Sequence, residues 1–509
     1  MIQAMSTDHT ALVSKVWNYA HVLRDQGIGY GDYVEQITFL LFLKMDLERS
    51  ELLGEPSAIP AAWRWDKLAP LAGDDLEVHY RHALENLARE PGLIGTIFRG
   101  AQNKLTDPAK LKRVASLIDA ETWIGIGVDV KGAIYEGLLE RNAAEVKSGA
   151  GQYFTPRPLI QAMVHVLRPL VGETVHDPAC GTGGFLLAAY EYLKRPGAAQ
   201  MDRVQQRQLR EATFSGVDIV DEVVRLAAMN LYLHGIGAEG NGDCPIRAGD
   251  ALAVEPSESF DVILTNPPFG KKSSYRVVGE DGEMDSERED YERGDFKFTT
   301  GNKQLNFMQH IMTVMASHGR AGVVLPDNVL FEAGSAGEGI RRRLLEQFDF
   351  HTLLRLPTGI FYKPGVKANV LFFDKRPPRA DGVPNTKALW IYDLRTNCHF
   401  TLKKNPLATG DLQDFVACYR TGAREQRQEI ERFKRFAVEE LLARDKLNLD
   451  IFWLKDDSLD DVESLPAPDV IAAEIVENLQ AALEAFQAVA DELAVPTAGL
   501  AVDLRTRAN

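Results

Sequence analysis

Seven short runs of branched and aromatic residues recur between positions 174 and 393, each closing on a polar or proline-bearing tip. They are TVHD, TFSGVDI, FDVILTN, RAGVVLP, HTLLRLP, NVLFFD and ALWIYD, and stretches with helical spacing separate them. Strand-length runs alternating with helices bury both faces of a sheet. The spacing therefore predicts an α/β fold with a mainly parallel sheet, from about Ile134 to about residue 400. One long polar insert, Lys271 to Gln304, interrupts the pattern; its GEDGEMDSEREDYERGDF is dense in acid and glycine. Such a composition predicts a mobile loop, either a solvated excursion or a lid over a substrate site.

At 509 residues the chain exceeds one compact domain. Residues 1–145 read as helical, with helices expected over His9 to Gln26 and Tyr33 to Ser50. In YVEQITFLLFLKMDLER, Val34, Ile37, Leu41 and Met45 fall three and four apart, and Phe39, Leu40, Phe42 and Leu43 widen that face. A loop with Pro56, Pro60, Trp63 and Trp65 follows. DLEVHYRHALENLAR and DPAKLKRVASLIDA then read as further helices, the second entered through Asp107-Pro108. This region either packs only on itself or faces a partner or DNA. Beyond residue 400 the chain is expected to be helical again. After Pro466 and Pro468, Asp469 can cap a helix on which Ile475, Leu479, Ala482, Phe486, Val489 and Leu493 form a heptad-like stripe. That stripe lies back on its own chain or bundles with another. The expected division is 1–145, 146–400 and 401–509.

Composition narrows the function classes. With 45% hydrophobic and 26% charged residues, disordered and collagen-like chains are excluded. No apolar run reaches the length of a membrane span. The start, MIQAMSTDHTALVSKVWNYA, lacks the continuous apolar region of a signal peptide. Cys180, Cys244, Cys398 and Cys418 form no C-x-x-C pair, which points to reduced thiols in a cytoplasm and to no zinc site. The net charge of −16 argues against strong independent binding of nucleic acid. If DNA is the substrate, a partner supplies much of the grip.

Three strand tips carry a cofactor-like pattern. Asp177-Pro-Ala-Cys-Gly-Thr-Gly-Gly-Phe185 follows the first run and opens a helix, Phe185 to Leu193. Its glycines permit a tight turn and close backbone approach to a ligand. It is neither G-x-G-x-x-G nor a phosphate-binding G-x-x-x-x-G-K-[ST] loop, and no kinase-type set occurs. Asp177 is a poor neighbour for a pyrophosphate and a good one for a cationic amino group. That favours S-adenosylmethionine over NAD or ATP. Asp218, at the second tip, can accept hydrogen bonds from ribose hydroxyls. Gly249-Asp250, at the third, can meet an adenine ring.

The strongest element is Asn266-Pro267-Pro268-Phe269, at the tip of FDVILT. Two prolines fix φ and rigidify the turn. They aim the Asn266 amide and a backbone carbonyl at one point, where acceptors can hold an exocyclic NH₂ and draw density onto its nitrogen. That prepares the amine lone pair to attack a methyl–sulfonium carbon. Phe269 offers a face for stacking a planar group.

In the order GQYFTP, DPACGTGGF, NPPF, the chain resembles the amino-methylating DNA methyltransferases whose cofactor motifs precede the catalytic one. More closely, it resembles the modification (M) subunit of type I restriction–modification systems. The segments are GAGQYFTPRPLI (149–160), HDPACGTGGFLLAA (176–189), LTNPPFG (264–270), GRAGVVLPDNVLF (319–331), LPTGIFYKPGVKANVLFF (356–373) and LNLDIFWLKDD (447–457). The resemblance implies a Rossmann-like, S-adenosylmethionine-dependent methyltransferase domain and site-specific N6-adenine methylation that protects host DNA from restriction. It implies that Gln152, Tyr153, Phe154, Thr155, Pro156, Arg157, Thr182, Gly183, Gly184 and Asp218 form the cofactor pocket, completed by Asp177 and Asp250. Asn266, Pro267, Pro268 and Phe269 would bind and activate a flipped base. One departure is spacing: Asp218 lies much further beyond Gly181 than the roughly twenty positions of a dinucleotide fold. KRPGAAQMDRVQQRQLREA reads as an insert lengthening that crossover.

The resemblance also implies partners: a specificity (S) subunit that reads double-stranded DNA, with two M subunits per S, and a restriction (R) subunit for cleavage and translocation, since no helicase P-loop is present here. Cytosine C5 methylation needs a thiolate, typically in a Pro-Cys turn, and no Pro-Cys dipeptide occurs. Adenine N6 and cytosine N4 share one chemistry; motif order and family likeness favour adenine. A protein-glutamine or ribosomal RNA methylase can also use an N-P-P turn, but such enzymes are usually shorter and lack the GQYFTP segment and the large tail. A scaffold subunit that only keeps the fold would not need intact Asn266, Phe269 and Asp177.

Overall fold

The computed structural model describes residues 30–123 and 155–455, apart from 55, 199, 238–242, 270–273, 279–283, 289–290, 292, 362–365, 380–381 and 403, together with 475, 476 and 479. The helix expected over His9 to Gln26, residues Gln152 to Phe154 and the stripe beyond Leu479 lie outside the described residues.

Three N-terminal helices form where the spacing puts them, α1 (Tyr30–Leu53), α2 (Gly73–Leu87) and α4 (Pro108–Asp119), and a further short helix, α3 (Gly92–Phe98), which the spacing does not predict, lies between the last two. Asp107 caps α4, its carboxylate accepting from the Ala109 and Lys110 N–H groups at 2.9 and 3.3 Å, with Pro108 at the first helical position. From Ile37 to Met45, α1 is buried at nearly every apolar position, because it is covered on more than one side. Besides α4, it packs against α8 (Asp221–Leu233), so that Ala228, Met229, Tyr232 and Leu233 belong to the N-terminal core. Polar contacts reinforce the seam. Tyr232 donates its hydroxyl to Asp46 at 2.5 Å, Arg49 donates to the Tyr232 carbonyl at 2.8 Å, and Arg225 pairs with Glu35.

A nine-stranded sheet follows, in the order β11-β10-β8-β9-β7-β4-β1-β2-β3. The strands are β1 (Val175–Asp177), β2 (Phe214–Asp218), β3 (Ile246–Ala248), β4 (Phe260–Thr265), β7 (Met315–Pro326), β8 (Phe348–Arg355), β9 (Ala368–Lys375), β10 (Ala388–Asp393) and β11 (Phe433–Ala437). All seven expected runs are strands. From β3 across to β7 every pairing is parallel. β9 runs antiparallel to both β7 and β8, and β11 runs antiparallel to β10. Side chains alternate between two core layers. Val262, Leu264, Val370 and Phe372 face one, with α5 (Arg157–Leu167) and α6 (Gly184–Lys194). Ile263, Leu371 and Phe373 face the other, with α9 (Lys303–Val314) and α10 (Ser335–Gln347). This period of two, covered by helices on both faces, is what makes the runs read as almost wholly apolar.

Two sequence expectations change. The sheet does not end near residue 400, since β11 extends it to Ala437; its alternation is hidden by the charged FKRFA. The long first crossover, read as an insert, holds the helix α7 (Arg203–Glu211), started by a capping box between Asp202 and Gln205. Finally, the region expected to be a mobile loop contains an antiparallel hairpin, β5 (Ser274–Val278) with β6 (Met284–Arg288). Its return is pinned. The buried Arg293 pairs with Asp295 at 2.7 Å and donates to the Ala251 and Leu252 carbonyls, and Gln309 Oε1 accepts the Lys297 and Phe298 N–H groups at 2.9 and 3.0 Å. The anchors Ala251, Leu252 and Gln309 lie outside the insert, so its own composition does not announce them.

Candidate functional site

The chain leaves β1 toward β2 and β3 on one side, then returns to β4 on the other. Neighbouring strands whose connections depart in opposite directions leave a crevice at their carboxyl ends. Asp177 ends β1, Asp218 ends β2, Asp250 follows β3 and Asn266 follows β4. The four expected polar tips therefore lie along one edge, in the spatial order Asp250, Asp218, Asp177, Asn266.

The glycine turn is built between the first two acids. Asp177 Oδ1 accepts the Ala179 N–H at 3.1 Å, and Asp218 Oδ2 accepts the Gly181 N–H at 3.1 Å. Gly183 has φ of 82°, and a Cβ there would come within 2.7 Å of Leu231 on α8. Only glycine combines that backbone with that approach. Thr182 and Gly184 flank it, and α6 starts at Gly184.

Asp177 is 1% exposed. Burial pushes its carboxyl up to about 7, with the Asp218 carboxylate adding to the rise, against the Thr265 hydroxyl and the Ala179 N–H. Burial also raises Asp218, against the N–H groups of Val220, Gly181 and Ile219. A buried acid, Asp177, and a half-buried one, Asp218, around one loop leave the site short of positive charge. A ligand bearing an ammonium and a sulfonium fits that deficit, whereas a pyrophosphate would deepen it.

At the fourth tip, Pro267 is buried and Asn266, Phe269 are half-buried. Phe269 meets Phe361 edge-on, with ring centroids 5.8 Å apart at 76°. Asn266 Nδ2 donates to Thr155 Oγ1 at 2.8 Å, which joins the fourth tip to the segment that starts α5. Pro156 is the N-cap of α5, and Arg157 bridges to Glu191 on α6 at 3.0 Å. Asp250 accepts the Tyr291 hydroxyl at 2.8 Å and the Leu252 N–H at 2.8 Å.

Several of these contacts escape sequence reasoning: Thr155 on Asn266, Tyr291 on Asp250, Phe361 against Phe269. Another is Asn230, buried on α8, whose Nδ2 donates to the Thr182 carbonyl at 3.1 Å. Its one available signal is an asparagine inside the apolar run LAAMNLYL. Cys180, between the two acids, is buried and its thiol is pushed well up by that burial, which suits a packing role rather than a nucleophile.

Comparison with known proteins fits this geometry. The N-6 DNA Methylase family pattern matches residues 127–454, and the HsdM N-terminal domain pattern matches residues 12–118. The type I restriction enzyme StySPI methylase subunit of Salmonella potsdam is 39% identical, over 95% of each chain. The EcoKI methylase subunit of Escherichia coli K12 is 38% identical, also over 95% of each. The crystal structure of the EcoKI M protein aligns with a TM-score of 0.51 and 33% identity, covering 95% of this chain and 96% of that one. A chain solved in work on complex assembly and conformational transition of the type I R-M system aligns with a TM-score of 0.65 and 27% identity, covering 95% and 98%.

Proposed function

The chain belongs to the N-6 DNA methylase family as a type I restriction enzyme methylase subunit, and from that premise we propose that Asn266 activates a flipped adenine beside a cofactor held by Asp177 and Asp218. It is an S-adenosylmethionine-dependent adenine N6 methyltransferase. S-adenosylmethionine, when bound, would supply the methyl group, and the residues of this chain would hold adenine N6 so that its lone pair takes that group and its surplus proton passes to solvent.

The residues divide the work by chemistry. Asp177 offsets the cofactor's positive charge, Asp218 accepts from its ribose, and Asp250 lies where the adenine ring would end. Thr182, Gly183 and Gly184 bring backbone close to the ligand, Pro156 and Arg157 close the pocket at the start of α5, and Thr155, from the same motif, directs its hydroxyl to Asn266. Gln152, Tyr153 and Phe154 carry the same assignment from the family motif. Asn266, held by Pro267 and Pro268, accepts from the adenine amine, and Phe269 stacks on the base. What carries this reading is the pairing of β1 directly with β4, which sets a carboxylate suited to a cation next to an acceptor suited to an amine.

The three-part organisation is proposed with its second boundary moved. Residues 1–145 form the helical domain, the methyltransferase domain runs from 146 past Ile451, and the tail serves assembly. A specificity subunit, two copies of this chain and a restriction subunit would complete the particle on double-stranded DNA. A net charge of −16 on this chain fits a division in which another subunit supplies most phosphate contacts. Among the described residues no helix is long and apolar enough to cross a membrane.

The test is transfer of labelled methyl groups to duplex DNA by the chain with its partner subunits, followed by digestion and identification of the modified nucleoside. N6-methyladenine is expected. Asn266→Ala should reduce the rate about 10²–10³-fold with cofactor binding retained. Label in protein or RNA, or turnover by Asn266→Ala at the normal rate, would overturn the reading.

A further inference from the structure

Resting on the role of Asn266 given above, we propose that Thr155 is a positioning residue for methyl transfer: its hydroxyl holds the Asn266 amide with the carbonyl end toward the adenine amine. The two residues are far apart in sequence and belong to separate motifs, yet Asn266 Nδ2 donates to Thr155 Oγ1 at 2.8 Å. Thr155 is 7% exposed, so water competes little for its hydroxyl. Its backbone is also fixed. Pro156 follows it with a constrained φ. The first turn of α5 is tied to α6 through the Arg157–Glu191 ion pair.

Orientation matters because an amide has two unlike ends of similar size. The oxygen accepts, the nitrogen donates, and shape alone does not choose between them. Turned one way, the Asn266 oxygen accepts an N–H of adenine N6 and draws density onto the nucleophile. Turned the other way, two donors face each other and the amine is repelled. Accepting the Nδ2 end at 2.8 Å, the buried hydroxyl holds the amide in the productive orientation before the base arrives, which is electrostatic preorganisation in the sense that matters for rate. A hydroxyl engaged in this way serves the acceptor base rather than the cofactor, although Thr155 lies within the cofactor-side motif.

The test uses the full chain assembled with its partner subunits. Thr155→Val and Thr155→Ala remove the hydroxyl, the first at nearly constant size; Thr155→Ser keeps it. Thr155→Val and Thr155→Ala should lower kcat for DNA methylation about ten- to a hundredfold. The calorimetric Kd for S-adenosylmethionine should stay within about twofold, because the lost interaction acts on the reacting amine. Thr155→Ser should stay near the parent rate. Added to Asn266→Ala, Thr155→Val should cost nothing further, since the two residues act as one unit. A raised cofactor Kd with unchanged kcat would assign the hydroxyl to the cofactor and overturn the proposal. Equal loss in Thr155→Ser and Thr155→Val, or full activity in both Thr155→Val and Thr155→Ala, would overturn it as well. Normal turnover by Asn266→Ala alone would remove the underlying role of Asn266, and that result is read without reference to Thr155.

Discussion

Asp177 and Asp218 stand at the tips of paired parallel strands, and each accepts a backbone N–H from the same turn, Ala179 for the first and Gly181 for the second. The pairing brings the buried Asp177 beside the half-buried Asp218, and burial lifts Asp177 to about 7. Its pKa is higher folded than unfolded, so the folded chain holds an extra proton between about pH 4 and pH 7. That contribution to stability is complete below the unfolded value and lost as pH rises through about 7. Asp177→Asn should flatten this part of the stability profile. A cationic ligand favours the ionised acid, so S-adenosylmethionine affinity should strengthen up to about tenfold per pH unit and level off above pH 7. Calorimetry in two buffers of different ionisation enthalpy should record a released proton near pH 6. An affinity independent of pH from 5.5 to 8 would remove Asp177 from the cofactor site.

Phe269 touches Phe361 only edge-on, a geometry compatible with a base lying on the face of the ring. Phe269→Ala should weaken the flipped-base complex by about 1–3 kcal/mol, while Phe269→Tyr and Phe269→Trp keep a π-face and lose less. A 2-aminopurine at the target position gives the readout, brightening when it leaves the stack. The same loss in all three variants would make Phe269 a packing residue.

Tyr232, on α8, ties the N-terminal helices to the helical layer beside the sheet. Its hydroxyl donates to the buried Asp46 and accepts the Ala58 N–H at 3.1 Å. Tyr232→Phe removes both bonds and should cost about 1–3 kcal/mol in urea unfolding. Burial already raises the Asp46 pKa, and the phenol is among the groups that lower it. Without that phenol the ionised acid is less favoured, so the cost should grow as pH rises. A cost that is constant from pH 5 to pH 8 would separate the phenol from the charge on Asp46.

The described part of the tail turns Ile475, Val476 and Leu479 outward, with Leu479 65% exposed. Leu479→Asp should therefore leave the melting temperature of the isolated chain nearly unchanged, as exposed substitutions usually cost less than about 0.5 kcal/mol. It should nevertheless reduce assembly with a specificity subunit in size-exclusion chromatography. An early melt with normal assembly would mean that the tail packs on its own chain.

What the sequence made legible follows from the range of each signal. β4 and its Asn-Pro-Pro-Phe tip are local: an apolar run cannot extend through two prolines, so strand and turn are read together. The four polar tips were likewise legible one by one, and strand alternation put them on one edge. The Thr155–Asn266 bond was not, because no local pattern connects positions so far apart. Asn230 on the Thr182 carbonyl is the same case. β11 was missed for another reason. As an edge strand it exposes Arg435 and half-exposes Lys434, which masks the period that marks interior strands. The pinned return of the acidic insert depends on Gln309, a polar residue buried on α9 that supplies its own hydrogen bonds.

The place of β9 in the sheet sets an order for synthesis. Residues 315–326 and 348–355 leave the ribosome before residues 368–375, yet the last of these form the strand that separates the other two. Until β9 arrives, β7 and β8 cannot acquire their native neighbour, and their facing edges carry unpaired backbone groups beside Val323, Leu325 and Leu353. Open apolar edges are templates for association between chains. Translation that pauses or ends between Arg355 and Ala368 should therefore produce a nascent chain that aggregates or recruits chaperones, instead of a partial domain that survives alone.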